Sequence, residues 1–183
     1  MSGHGTAPAI TPPAASPHHQ PSPGARTGFV FICPGRFEAQ RGYPCAAGTG
    51  ANLRRALAVL NERLPTRFPS AYRVSYVVTN SWPIVEFPAL TGRSVPTVEE
   101  VLGSANLERL AQELAGLTAI VACGGQAHAA VRALREGRTL QETAVAEARH
   151  LSQRSVNMIP GAGDTAGRIA LWCEGVIAQL RGG

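Results

Sequence analysis

The sequence predicts an α/β domain, a three-layer α/β/α sandwich around a central, mainly parallel sheet of four strands. Short apolar runs rich in β-branched and aromatic residues recur at Phe29–Cys33, Arg73–Thr79 and Leu117–Cys123, each bounded by glycine, proline or asparagine. Helical stripes lie between and after them. The clearest places Ile169, Trp172, Cys173, Val176, Ile177 and Leu180 at i, +3, +4, +7, +8 and +11. Strands that alternate with helices form parallel sheets with a helical layer on each face.

In chain order, residues 1–26 hold six prolines and three histidines (His4, His18, His19) without apolar periodicity, so a disordered tail is expected there and a single folded domain over 27–183. Phe29–Cys33 reads as the first buried strand, ended by Pro34-Gly35. A loop then leads through Gly48 and Gly50 into a helix with Leu53, Leu57, Leu60 and Leu64 on one face. The second strand ends at Asn80-Ser81-Trp82-Pro83, and Thr97 with Glu99 and Glu100 reads as a helix N-cap followed by acids in the first turn. Gly124-Gly125 ends the third strand and opens a helix over Gln126–Leu134. Ala144–His150 is the fourth strand candidate, although Ala and Glu are poor strand formers. Leu151–Gly163 is expected to be a loop.

At 183 residues and 44% hydrophobic content the chain is long and apolar enough for one substantial core. No apolar run approaches the ~20 residues of a membrane span. The N-terminus lacks a charged region followed by an apolar one, so no secretory signal is expected. The cysteines, at 33, 45, 123 and 173, form no C-x-x-C pair, which implies free, mostly buried thiols in a reduced, cytoplasmic setting. The formal charge is +5, and all seventeen basic residues are arginine. That balance suits a polyanionic partner, and arginine offers bidentate phosphate contacts that lysine does not.

The segment from Phe31 to Leu53, F-I-C-P-G-R-F-E-A-Q-R-G-Y-P-C-A-A-G-T-G-A-N-L, joins a buried strand to a helix start. Open α/β sheets bind ligands in such loops, outside the carboxyl ends of the strands, and free amides at a helix start favour an anion. A glycine-rich surface loop without a ligand gives the same pattern.

This segment resembles the first motif of the uracil-DNA glycosylase superfamily and is closest to its iron–sulfur branch, where G-E-A-P-G is followed by an acidic stretch, G-x-P-F-V-G and a helix. Two later segments extend the resemblance. V-V-T-N-S-W-P with T-G-R-S-V-P-T-V-E-E, around Asn80 and Arg93, is similar to the second conserved block. A-R-H-L-S-Q-R-S-V-N, around His150, is similar to the last motif, commonly H-P-S-P, with Leu151 in place of the first proline. Together they cover Phe29 to about Met158.

The resemblance implies a metal-free, cofactor-free, monomeric DNA glycosylase that flips a deaminated or modified base from DNA and hydrolyses its N-glycosidic bond. It implies a base pocket of Cys33, Pro34, Gly35, Phe37, Tyr43, Cys45 and Asn80. Asn80 would read the base edge through its amide, and His150 would contact the base carbonyl that gains charge as the bond breaks. Glu38 is the only carboxylate of the first motif, placed to activate water or to offset the cation-like sugar. Arg36, Arg41, Gly48, Thr49, Ser152, Gln153 and Arg154 would contact DNA, with Leu151 as a wedge in the minor groove. Read without the resemblance, Asn80 is equally an Asx cap of its loop and Glu38 a solvated carboxylate. His150 then becomes a surface histidine.

Three departures bear on chemistry. Ile32 stands where the branch has glutamate, and Cys45 where it has a base-stacking phenylalanine, leaving Tyr43 and Phe37 as possible substitutes. The cluster cysteines are missing, so no iron–sulfur cluster is expected, and no cysteine–histidine spacing fits zinc. Two alternatives follow. One is a catalytically silent nucleic-acid-binding module, because of Ile32; the other is an enzyme acting on free nucleotides, because glycine-rich loops on such sheets also serve that.

Overall fold

The computed structural model describes residues 15–182. In chain order the elements are β1 (His19–Gln20), β2 (Thr27–Phe31), α1 (Arg36–Arg41), α2 (Gly48–Arg63), a 3-10 turn (Arg73–Ser75), β3 (Val77–Asn80), α3 (Pro88–Thr91), α4 (Val98–Val101), α5 (Ser104–Glu113), β4 (Ala119–Cys123), α6 (Gly125–Glu136), β5 (Ala144–Ala148), α7 (Gln153–Asn157) and α8 (Thr165–Arg181). The expected α/β class holds. The strands form one sheet in the order β1-β3-β2-β4-β5, parallel except for β1, which runs antiparallel to β3.

Side-chain alternation sorts each strand onto two faces. Phe29, Phe31, Val78, Val121, Cys123 and Ala146 join α2, α7 and α8 in one core. Val30, Val77, Ile120 and Ala122 join α4, α5 and α6 in the other. The leucine stripe of α2 works as expected, with Leu53, Ala56, Leu57 and Leu60 buried, and so does the stripe of α8. Gly50, in the first turn of α2, is a contact-imposed glycine: a Cβ there would lie 2.0 Å from the Cys45 carbonyl oxygen. Thr97 caps α4 as expected, its hydroxyl accepting from Glu100 N–H at 3.2 Å while Glu100 accepts from Thr97 N–H at 2.8 Å.

The sheet has five strands rather than four, and the extra one comes from the expected tail. Residues 1–14 of that tail lie outside the described residues, but residues 15–26 belong to the fold. His19 pairs with Thr79 and Gln20 with Val78. The reason is a polar network that periodicity does not register. Glu113 accepts from Thr79 Oγ1 at 2.5 Å and from Arg109 at 2.6 Å, and pairs with His18 Nε2 at 3.0 Å. Arg109 also donates to the Asn80 carbonyl at 3.0 Å, and Gln20 donates to the Arg73 carbonyl at 3.2 Å. The second strand is also shorter than expected. Arg73–Ser75 is a turn closed by Tyr76 N–H to the Arg73 carbonyl, and pairing with β2 starts only at Val77.

At the opposite edge, Gln179 of α8 accepts from Glu147 N–H at 2.9 Å and donates to the Glu147 carbonyl at 3.0 Å. Arg132 pairs with the Glu147 carboxylate. Among the described residues no helix is long and apolar enough to cross a membrane.

Burial alone would raise the Glu113 carboxyl, but the bonds from His18 and Thr79 and the Arg109 charge hold it down at about 2, against an ordinary 4.5. A depressed carboxylate pKa stabilises the fold above the unfolded-state value, and that stability is lost as pH falls through the folded-state value. Glu113→Gln should therefore flatten the fall in stability between pH 4.5 and about 2, measured by denaturant unfolding across that range. An unchanged acid limb would show that Glu113 does not couple protons to folding.

Candidate active site

Strand order decides where the candidate residues meet. The connection after β2 leads through α2 to β3 on one side, while β4, on the other side of β2, leads through α6 away to β5. A crevice forms at such a switch, at the carboxyl ends of the two adjacent strands. Here those ends carry Ile32 and Gly124. Gly124 has φ +101°, and a Cβ on it would lie 2.7 Å from Ile32 Cδ1 and 3.5 Å from His150 Cβ. The absent side chain is what lets these two residues close over the end of β4.

His150 lies between two fixed peptides and against an aromatic ring. Its ring meets Phe31 edge-on, with centroids 5.5 Å apart. Trp172 Nε1–H donates to the Arg149 carbonyl at 2.9 Å, and Asn52 Nδ2–H donates to the Leu151 carbonyl at 2.9 Å, so both flanking peptides are fixed. Ser152 N–H lies 3.0 Å from His150 Nδ1. A backbone N–H only donates, so Nδ1 accepts and the ring proton of the neutral form sits on Nε2. Burial lowers the His150 pKa from 6.5 to about 4, with the Glu38 carboxylate acting weakly the other way. At neutral pH His150 is thus an uncharged imidazole with its Nε2–H as donor.

Glu38 is a loop clamp. One carboxylate oxygen accepts from Gly35 N–H at 3.0 Å, the other from Ala46 N–H at 2.9 Å. The two glycine-flanked halves of the first motif are thereby joined, and the short helix α1 replaces part of the expected loop. Arg41 donates to the Ala46 carbonyl and Arg73 to the Pro44 carbonyl, bracing the same turn. Cys45 is buried with φ +56°, and burial holds its thiol well above its ordinary pKa, the Glu38 charge adding to this. Cys33 is half-buried, its thiol 3.6 Å from the Ser94 carbonyl and raised to about 12 by burial and then by Glu86 and Glu38. Both thiols therefore stay protonated and are poor nucleophiles. Pro34 is buried, and its carbonyl accepts from Glu86 N–H at 2.9 Å. Glu86 in turn is gripped by Arg93 at 2.5 Å and by Trp82 Nε1–H at 3.2 Å, which fixes the loop over Cys33.

Asn80 ends β3 beside Phe31, its register partner in β2. It is buried, and its Nδ2–H donates to the His18 carbonyl at 3.1 Å. The amide oxygen accepts nothing among the described residues. Asn80 and His150 thus flank Phe31 on one face of the sheet, but the donor to which the resemblance gives base reading is engaged by the N-terminal segment.

The other candidate residues divide clearly. Leu151 is fully buried in the core with Val156 and Ile169, so it is not a surface wedge. A bulky apolar side chain next to a helix start packs inward here because α8 covers that end of the sheet. Ser152 caps α7, its hydroxyl accepting from Ser155 N–H at 3.4 Å. Gln153 is exposed and bonds Asn157 at 2.8 Å, and Arg154 is exposed. Arg36 stacks on Phe37, itself 44% exposed, with 5.1 Å from the guanidinium carbon to the ring centre. Gly48 and Thr49 open α2, whose N-terminal residue Ala47 supplies no side-chain cap. Tyr43 lies under Arg73 at 4.5 Å and lines a cleft of about 300 Å³ with Cys45, Gly50, Arg54 and Tyr72; neither Asn80 nor His150 lines it. Tyr43 is therefore not brought to His150 by a shared cavity.

Sequence reasoning missed Asn52, Gly124 and Trp172 as the supports of His150. The signal for Asn52 was available, since it is a polar residue beside the apolar stripe of α2. No protein-family profile matches this chain, and no curated protein matches it.

The geometry around His150 has a direct spectroscopic consequence. Its folded-state pKa is depressed, so acidification protonates the unfolded chain first and stability falls between pH 6.5 and about 4. Nitrogen-15 NMR at pH 6 should show a neutral ring protonated at Nε2. A charged ring, or an Nδ1–H tautomer, would contradict the Ser152 contact.

Proposed function

We propose that the protein is a DNA glycosylase of the uracil-DNA glycosylase type, which extrudes a deaminated or modified base and cleaves its N-glycosidic bond. The supporting observation is His150, a half-buried, neutral imidazole that accepts from Ser152 N–H on Nδ1, carries its proton on Nε2 and sits between two fixed peptides at the carboxyl ends of the sheet. A neutral donor in a dehydrated setting favours an oxygen that becomes negative in the transition state.

In this reading the C1′–N bond breaks with its electron pair leaving on the base, and His150 Nε2–H stabilises the base oxygen that takes up the charge. Water then adds to the cation-like sugar carbon and loses a proton, leaving an abasic site. Asn80 contributes its amide oxygen as an acceptor for a base N–H, and gains its donor only if its bond to the His18 carbonyl is released. The arginines around the first motif and Arg154 contact phosphates. A monomer acting on DNA in the cytoplasm completes the proposal.

A second reading has its own support. Ile32 supplies no acid, and both Glu38 oxygens are engaged by backbone amides, so a silent nucleic-acid-binding module is the alternative. An enzyme for free nucleotides would show a shallow dependence of binding on salt, whereas several phosphate contacts give a steep one.

A base-release screen on oligonucleotides carrying uracil, hypoxanthine, xanthine and modified pyrimidines, read as alkali-labile strand cleavage, tests the proposal. His150→Ala should lower single-turnover release by about two orders of magnitude or more while leaving DNA affinity within a few-fold. DNA binding with no abasic product from any substrate would leave the binding module.

A further inference from the structure

The cleft over the start of α2 has no part in the chemistry assigned to His150. It is lined by Tyr43, Cys45, Gly50, Arg54, Tyr72 and Arg73, together with four alanines, and it encloses about 300 Å³. Two arginines and no carboxylate belong to its wall. Its geometry is fixed from several sides. Arg73 is tied to the Pro44 carbonyl and lies over the Tyr43 ring. Tyr72 starts the 3-10 turn, accepting from Ser75 N–H at 3.1 Å and donating its own N–H to Ser70 Oγ at 3.0 Å. Its side chain is nonetheless 73% exposed. Gly50 brings the Cys45 carbonyl against the first turn of α2. The first turn of α2 carries neither a capping side chain nor an acid.

An exposed aromatic face and two guanidinium groups in one concave wall match the parts of a nucleotide: a flat base and a phosphate. We propose that this cleft is a nucleotide subsite, in which Tyr72 stacks on a base and Arg54 and Arg73 hold the adjoining phosphate of a DNA strand. One hydrogen bond links it to the candidate active site. Ala46 lines the cleft and donates to Glu38, the same carboxylate whose field reaches His150. The inference deepens the glycosylase reading and rests on it only in taking the nucleotide as part of a strand. The subsite would hold a nucleotide that neighbours the extruded one, without taking part in bond cleavage.

The test is fluorescence anisotropy with the full chain and an unmodified single-stranded oligonucleotide across a salt series, alongside titration with a 5′-mononucleotide. Tyr72→Ala should weaken oligonucleotide binding about 5- to 150-fold, as for loss of one base–aromatic stack, and Tyr72→Phe should retain it. Arg54→Gln should lower the log–log salt slope by about one. Both side chains are exposed, so circular dichroism should show the variants folded like the parent. Parental binding by both variants overturns the proposal. So does a slope change in Arg54→Gln without any effect of Tyr72→Ala, which would mark a charged surface only. Mononucleotide binding as tight as oligonucleotide binding would overturn the assignment to a strand. Sensitivity to Tyr72 and Arg54 in a protein that releases no base would sustain the subsite and remove the glycosylase; base release with insensitive variants would do the reverse.

Discussion

Strand β2 has hydrogen-bonded neighbours on both edges and helices on both faces, and the rest of the molecule is arranged around that enclosure. A strand so enclosed leaves polar side chains without water, so Thr-Gly-Phe-Val-Phe is apolar apart from Thr27, whose hydroxyl is paired with the Arg67 carbonyl at 2.6 Å. Chemistry is possible only where the strand stops. The Pro34-Gly35 break, the clamp by Glu38 and the helix start of α2 all lie immediately beyond Phe31, and His150 packs on that residue's ring.

The residues that hold the candidate site are mostly side chains bonded to backbone atoms far away in sequence. Asn52 reaches the Leu151 carbonyl, Trp172 the Arg149 carbonyl and Arg73 the Pro44 carbonyl. Such bonds orient a loop without filling the space it surrounds. The first two fix the peptides on either side of His150, and the Ser152 amide sets its tautomer, which is the preorganisation that an electrostatic role requires.

Much of this fold was legible because burial leaves a periodic trace. The three apolar strands and the stripes of α2 and α8 follow from spacing alone, as does the Thr97 cap. β1 was not legible. Two residues of His-Gln have no period, and the segment is anchored through the preceding His18, whose ring pairs with Glu113 and whose carbonyl accepts from Asn80, both more than 60 positions away in the chain. Leu151 shows the opposite difficulty. Its place in a motif suggested a groove-facing role, whereas its environment under α8 decides for the core. Glu38 and Asn80 stand out in the sequence as polar residues beside strand ends, but their partners are backbone groups that only the folded chain supplies. His150 was located by its neighbours in sequence; its protonation state required the Ser152 amide and the burial beside Phe31.

The two margins of the sheet carry a consequence for behaviour at high concentration. Open strand edges are templates for pairing with another chain, and proteins escape this by keeping edges short or covered. Here one margin is a strand of only two residues. At the other, the Gln179 amide occupies both backbone groups of Glu147, as a neighbouring strand would, and the Arg132–Glu147 pair adds charge beside it. Growth of the sheet from copy to copy is thus obstructed at both ends, by brevity on one side and by a side chain imitating a strand on the other.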